Sequence, residues 1–247
     1  MTTVDVVVPV YNEERALPQS IPVLREFLAS PAFPFEWRIV IADNASIDST
    51  PAVGKELAGV NSGKVEYVRI ERKGRGFALK QTWLASPMDI VSYMDVDLST
   101  GLEAFPPLIG SIANDRYDVA IGSRLASQSE ITRSLKRRVL TRGYNTLIKA
   151  MFGTRFSDAQ CGFKAVSREA AQRIVPLIAD NNWFFDTELL ILAEKMGYRV
   201  KDVPVRWVED TDTRVKITAT VTEDLRGLLR LRTGQPWRRA DGKPKNE

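Results

Sequence analysis

An α/β fold, with a mostly parallel central sheet flanked by helices, is what this sequence predicts, and three observations predict it. Apolar runs of strand length alternate with segments of helical period through the first half of the chain. Polar residues gather just after each apolar run, where open parallel sheets bind their ligands. The composition is that of a well-packed soluble protein: of 247 residues, 44% are hydrophobic and 27% charged. That length suits one large domain, or one domain with an appendage.

Residues 4–10 are a run of valines broken by Asp5 and Pro9, the pattern of a strand covered on both faces. Residues 14–28 place Leu17, Ile21, Leu24 and Leu28 on one helical face. A second strand over 37–42 leads into a short helix over 49–58, with Asp48, Ser49 or Thr50 as its cap. Strand 65–70 and helix 76–85 follow, then strand 90–94, helix 104–113 and strand 118–122. The second half is less regular. It reads as a basic helix over 133–151, a short strand over 163–166, helices over 169–178 and 187–196, a strand over 199–207, and a last helix over 218–232. Residues 234–247 are polar and Pro-bearing, and a loose tail is expected. The organisation predicted is a domain over 1–217, an amphipathic helix over 218–233 and a polar tail over 234–247.

Two counts narrow the chemistry. The chain has no histidine and one cysteine, Cys161. Ser-His-Asp and Cys-His catalysis, His-ligated metals and an intrachain disulfide are therefore excluded, and a reducing compartment is expected. What remains is carboxylates, Lys, Arg, hydroxyls or a hard metal bound by oxygen. The N-terminus lacks the basic and apolar regions of a signal peptide, and no stretch of ~18 apolar residues suggests a transmembrane helix. The expectation is a chain that does not span a membrane, though it can lie on one.

The strand ends carry the candidates. Pro9-Val10-Tyr11-Asn12-Glu13 sets an aromatic ring beside a carboxylate, able to stack on a base or simply to turn the chain. Asp43-Asn44-Ala45-Ser46 precedes the cap of the second helix; Asp43 can bond a ribose or a base, and Asp48 reads as structural. Arg72-Lys73-Gly74-Arg75-Gly76 surrounds two glycines with cations, so that backbone and helix start can approach a phosphate. Asp95-Val96-Asp97 closes an apolar strand with two carboxylates. On an extended chain these share a side and repel unless a cation such as Mg²⁺ or Mn²⁺ sits between them. The net charge is +4, and its excess is concentrated in the second half: Arg124, then Arg133, Lys136, Arg137, Arg138, Arg142 and Lys149, then Arg214 and Lys216. Such a surface suits a polyanionic substrate or an anionic membrane. Nucleic acid is the competing partner, disfavoured by the acids at the strand ends.

In this order and spacing the motifs resemble family 2 glycosyltransferases of the GT-A fold, over nearly the whole chain from Val4 to Trp237. Within that family they are similar to the polyprenyl-phosphate, or dolichyl-phosphate, hexose synthases. The motifs are Pro9 to Glu13, Asp43 to Ser46 with Asp48 and Thr50, Lys73 to Gly76 with Ala78, Asp95 to Leu98, Gly122-Ser123-Arg124, and Asp158 to Lys164. The resemblance implies that Pro9, Tyr11, Glu13, Asp43 and Lys73 hold the nucleotide-sugar donor. It implies that Asp95 binds nucleotide or metal and that Asp97, with Gln160, binds a divalent metal. Asp95, Asp97 and Arg124 become the catalytic set, and Arg124, Arg138, Arg214 and Lys216 meet the acceptor phosphate. Asn44 stands where many relatives carry a second Asp. The segments 158–164, 183–190 and 229–234 look most like dolichyl-phosphate β-glucosyltransferases, so glucose is favoured over mannose from a GDP-mannose donor. A sugar-nucleotide nucleotidyltransferase is the other enzyme class, but Tyr11-Asn12-Glu13 stands where its Gly-rich triphosphate loop belongs. Residues 218–232, with Val221, Leu225, Leu228 and Leu229 near one face and Trp237 beyond, are the candidate membrane-binding element, the alternative being a helix packed on the core with its charges outward. The expected location is the cytoplasmic face of a membrane.

Overall fold

The computed structural model describes residues 1–61, 63–132, 135–208 and 217–238. A seven-stranded sheet runs through the molecule in the order β3-β2-β1-β4-β7-β5-β8. Its strands are β1 (Thr3–Val10), β2 (Glu36–Asn44), β3 (Val65–Ile70), β4 (Ile90–Met94), β5 (Val119–Ser123), β7 (Phe163–Ser167) and β8 (Val200–Pro204). All neighbours pair parallel except at β7, which runs antiparallel between β4 and β5. The mostly parallel α/β prediction is met.

Period-2 alternation sends Val6 and Val8 to one face and Val7 to the other, and a separate apolar cluster fills each side. Helices α1 (Leu17–Ala29), α2 (Thr50–Val60) and α4 (Phe105–Ala113) cover the first face, with Phe33 stacked on Phe105. Helices α3 (Arg75–Ala85), α5 (Leu135–Phe152), α6 (Arg168–Ile174), α7 (Phe185–Lys195) and α8 (Ile217–Gly234) cover the second.

One expectation changes. The strand expected over 199–207 divides after Pro204, which has no amide proton to continue the ladder. Its second part, β9 (Arg206–Val208), pairs parallel with β6 (Glu130–Thr132), a strand too short to show a period in the sequence. The last helix packs on the second face of the sheet. Leu228 and Leu231 are buried in the second-face cluster, each worth about 1.5–3 kcal/mol. Just beyond the helix, Trp237 packs edge-on against Phe152. Among the described residues no helix is long and apolar enough to cross a membrane.

Candidate active site

The loops after β1, β2 and β3 are tied to one another. Asn12 sits at φ 55° and locks two loops: its amide donates to Ser46 Oγ at 2.9 Å and its Oδ1 accepts from the Ile47 amide at 2.9 Å. The Glu13 amide donates to Thr50 Oγ1, and Asp48 accepts from Thr50 and Glu14, so Asp48 is the structural residue expected of it. Asn44, the departure from the family pattern, accepts from the Gly74 amide at 2.5 Å and so joins the second loop to the third. Lys73 lies over the Tyr11 ring at 3.8 Å, which brings two of the nucleotide candidates together, with Pro9 half-buried just before them on β1.

Asp43 is placed differently from its neighbours. Its side chain is fully buried, and its carboxylate accepts from Tyr67 Oη at 2.6 Å, Arg69 at 2.8 Å and the Ser46 amide at 2.9 Å. Burial works against ionisation, yet the Tyr67, Ser46 and Arg69 hydrogen bonds hold the carboxyl below the usual Asp range. Tyr67 in turn is pushed up to about 12, by burial and by Asp43. Asp43 anchors the floor of the loop cluster.

The glycines after β3 serve the protein's own packing. A Cβ at Gly74 would meet the Asn181 carbonyl at 2.6 Å, and one at Gly76 would meet Phe185 Cβ at 2.7 Å. The Phe77 amide near the start of α3 donates to that same Asn181 carbonyl. The close approach predicted from these glycines is therefore made by the loop entering α7.

Asp95 and Asp97 leave the central strand β4, but not on an extended chain. The Leu98 amide donates to the Asp95 carbonyl and Leu98 has φ 50°, so the pair sits in a turn and the strand-alternation argument does not apply to it. Asp97 is exposed, and its Oδ1 accepts from the Ser99 amide at 2.9 Å. Asp95 Oδ1 accepts from Arg75 at 2.8 Å, and Arg75 also reaches Asp186 at 2.8 Å. Lys164 is fully buried beside Asp186 at 3.0 Å, and Tyr93 Oη donates to Asp186. Among the described residues no three Asp, Glu or Cys side chains converge on one point. A divalent metal held here would have one or two carboxylates, a set that fits a hard cation completed by substrate phosphates.

Gln160, the second metal candidate, is exposed and donates from Nε2 to Asp224 of α8 at 3.2 Å. That bond commits the amide nitrogen and leaves Oε1 as the atom a hard metal would take. Asp224 is buried and also bonded to Tyr144, and burial among acids pushes its carboxyl up to about 7. Arg124 follows β5 and is buried. Its Nε and Nη2 form a fork on Asp158 at 2.7 and 3.0 Å, and its guanidinium lies 5.5 Å from the Trp207 ring centre. Only Nη1 lies outside the fork. Arg138 is half-buried on α5, while Arg214 and Lys216 lie outside the described residues.

Asp186 and Glu188 both stand in the first turn of α7, where capping accounts for one acid. Both are buried and both are paired. Glu188 accepts from the Ala179 and Asp180 amides and takes a fork from Arg230 of α8 at 2.8 Å on each arm. Asp186 takes Arg75 and Lys164. The roles of Arg75, Lys164, Tyr93 and Asp224 were missed. The one available signal was the excess of charge and aromatics in 183–188, which local capping did not account for.

The profile of glycosyl transferase family 2 matches residues 5–175. Glycosyltransferase AglD of Haloferax volcanii is 36% identical over 220 residues, which is 88% of this chain but only 35% of that protein. The dolichyl-phosphate beta-glucosyltransferases of Dictyostelium discoideum and Saccharomyces cerevisiae are 28% and 29% identical, each over 92% of this chain and 73% of their own length. The glucosyl-3-phosphoglycerate synthase of Mycobacterium tuberculosis, solved with Mn²⁺, UDP-glucose and phosphoglyceric acid, has the same fold: TM-score 0.71 at 17% identity, over 94% of this chain and 80% of that one. The GDP-mannose and Mn²⁺ complex of a mannosyltransferase from Pyrobaculum calidifontis gives a TM-score of 0.61 at 19% identity, over 98% of this chain and 65% of that one. The chain belongs to glycosyl transferase family 2 and has the GT-A fold.

Proposed function

We propose that this family 2 glycosyltransferase moves a hexose, glucose ahead of mannose, from a nucleoside-diphosphate sugar to a polyprenyl phosphate with inversion at the sugar carbon. The observation that carries the reading is the end of β4, where the exposed Asp97 stands beside a held Asp95 and next to the interlocked loops of β1, β2 and β3. The names of the eukaryotic relatives support glucose ahead of mannose, and their acceptor supports a dolichyl-type phosphate.

Tyr11, Glu13 and Lys73, with Pro9 and the Asp43 floor, form the proposed nucleotide side. Asp97, with Gln160, would hold a divalent metal, Mg²⁺ or Mn²⁺, which when bound supplies positive charge to the leaving diphosphate. Asp95 bonds the donor beside it. Arg124 Nη1, Arg138, Arg214 and Lys216 are the proposed cations for the acceptor phosphate; they offset repulsion between two anionic substrates. A phosphate monoester has a second pKa of about 6 and is mostly dianionic at neutral pH. Such a nucleophile needs little help from a base, which suits a chain without histidine.

The lipid half of the acceptor calls for a membrane approach. Helix α8 buries Asp224, Leu228 and Leu231 and leaves Val221, Leu225 and Leu229 exposed at 47%, 49% and 62%. Val139, Leu140 and Leu147 are exposed on the neighbouring α5, and Arg142, Lys149, Arg226 and Arg232 add charge around them. A basic surface with an apolar stripe lies on anionic lipid. The stripe differs from the face expected from sequence, because Leu228 belongs to the core. The proposed side is the cytoplasmic one, where the single buried thiol of Cys161 stays reduced. Replacing Val221, Leu225 and Leu229 with serine should abolish sedimentation with anionic liposomes while leaving the melting temperature within a few degrees; unchanged sedimentation rejects the stripe.

Calorimetric titration of UDP-glucose and GDP-mannose, with Mn²⁺ and then with EDTA, tests the donor. Binding of UDP-glucose that EDTA removes, followed by glucose transfer to a polyprenyl phosphate, is the expected result. Binding of GDP-mannose alone moves the assignment to the mannosyl branch, and binding of neither overturns the proposed donor.

A further inference from the structure

Beneath the exposed end of β4 lies a chain of alternating charges of which the proposed reaction uses only Asp95. Arg75 is 9% exposed, and its two terminal nitrogens go to different carboxylates, Nη2 to Asp95 and Nη1 to Asp186, each at 2.8 Å. Its guanidinium is also held between two rings, 4.7 Å from the centre of Tyr93 and 5.0 Å from that of Trp183. Asp186 is fixed from its other side by Lys164 at 3.0 Å and by the Tyr93 hydroxyl. Lys164 is completed by the Cys161 carbonyl at 2.6 Å. Two carboxylates and two cations make a neutral set, which is how buried charge is tolerated. Burial alone would raise the Asp186 carboxyl, but Lys164 and Arg75 hold it below the usual Asp range.

Asp95 is the only member of the set that opens to solvent, with 44% of its side chain exposed. A half-exposed carboxylate would ordinarily sample several rotamers. This one is held on three sides. Oδ1 is on Arg75, the main-chain amide donates to the Gly162 carbonyl at 3.2 Å, and Oδ2 fills the space where a side chain at position 162 would be, since a Cβ there would lie 1.8 Å from it.

We infer that Arg75 is a positioning residue that acts through Asp95, that Asp186 and Lys164 hold Arg75 in place, and that Gly162 is required to be glycine so that the Asp95 carboxylate can sit where it does. The inference rests on the proposed reading of Asp95 as a donor-binding group. A carboxylate presented in one orientation binds its ligand without the cost of ordering it. Loss of such a supporting partner typically costs about 10–100-fold in affinity or activity.

The test is a double-mutant cycle read by calorimetric binding of UDP-glucose in the presence of Mn²⁺. Arg75→Leu should weaken donor binding about tenfold or more, and Arg75→Lys should recover part of it, because an ammonium keeps the charge but cannot fork between two carboxylates. In a background of Asp95→Asn, the further loss from Arg75→Leu should fall to about twofold or less. An equal loss in both backgrounds overturns the inference, since Arg75 would then act without Asp95. In steady state the donor KM should rise while the acceptor KM stays put; a matching rise in the acceptor KM also counts against it. Should Arg75→Leu fail to fold, Gly162→Ala carries the test, because it crowds Asp95 without removing a buried charge. It should weaken donor binding about tenfold, and undiminished binding overturns the inference. A wild-type protein that binds no nucleotide sugar overturns the donor reading together with this inference; one that binds, beside variants that bind equally well, overturns the inference alone.

Discussion

The donor-side loops and the second half of the chain are both rich in buried polar links, but the links differ in reach. Around the nucleotide candidates, the links Tyr67 to Asp43, Gly74 to Asn44 and Glu13 to Thr50 span 24 to 37 positions, because successive parallel strands bring successive loops together. Beneath Asp95 they are 93 and 111 positions apart, as in Tyr93 and Arg75 to Asp186, because β7 and α7 are inserted from later in the chain. The first region is assembled by its own connectivity. The second exists only once the whole sheet is complete, and it is the second that holds the carboxylate at the end of β4.

The sharpest separation of the two regions should come from Asp97→Ala. Asp97 is exposed, so transfer should fall by at least about a hundredfold while the melting temperature stays within a few degrees. Near-normal turnover would remove Asp97 from the metal site. Gly76→Ala tests the joint between the regions, since its Cβ would press on Phe185 and on the backbone of Asn181. Overpacking there should cost about 1–3 kcal/mol, seen as a lower urea midpoint. Arg230→Ala probes the second region alone: it strips the fork from the buried Glu188 and should cost about 1–2 kcal/mol, less than a fully buried pair because Arg230 is half-exposed. Glu188→Gln combined with Arg230→Ala should recover part of that loss, and strict additivity would deny that the two act together.

An effect of similar size, and the one most specific to the first region, belongs to Asp43. Its folded pKa is depressed, so the stability it adds is present above the ordinary Asp value near 4 and is lost as pH falls through the lower folded value. Asp43→Asn should therefore cost about 1–2 kcal/mol at pH 7, with the difference from wild type shrinking towards pH 3. A gap that stays constant across that range would show that Asp43 contributes by shape and not by charge.

Much of this molecule was legible because local rules and global fold agree. The valines of β1, the spacing of Leu17 to Leu28 and the capping residues at 48–50 each answer to a nearest-neighbour preference, and the order of strands and helices then dictates a parallel sheet with ligands at its carboxyl ends. The absence of histidine, the single thiol and the strand-end carboxylates bounded the chemistry without any structure. What the sequence could not supply was direction across long separations. Gly74 and Gly76 read as room for a ligand, and only the packing of α7 shows which backbone comes close. Leu228 and Leu229 are adjacent in sequence, and only docking on the sheet turns one into core and leaves the other exposed on the surface. Arg75 carries the same charge as Lys73 and Arg72 two and three residues earlier. Its burial between Asp95 and Asp186, and so its hold on the Asp95 carboxylate, is decided by tertiary structure alone, because a charge is tolerated inside a protein only where its partners already wait.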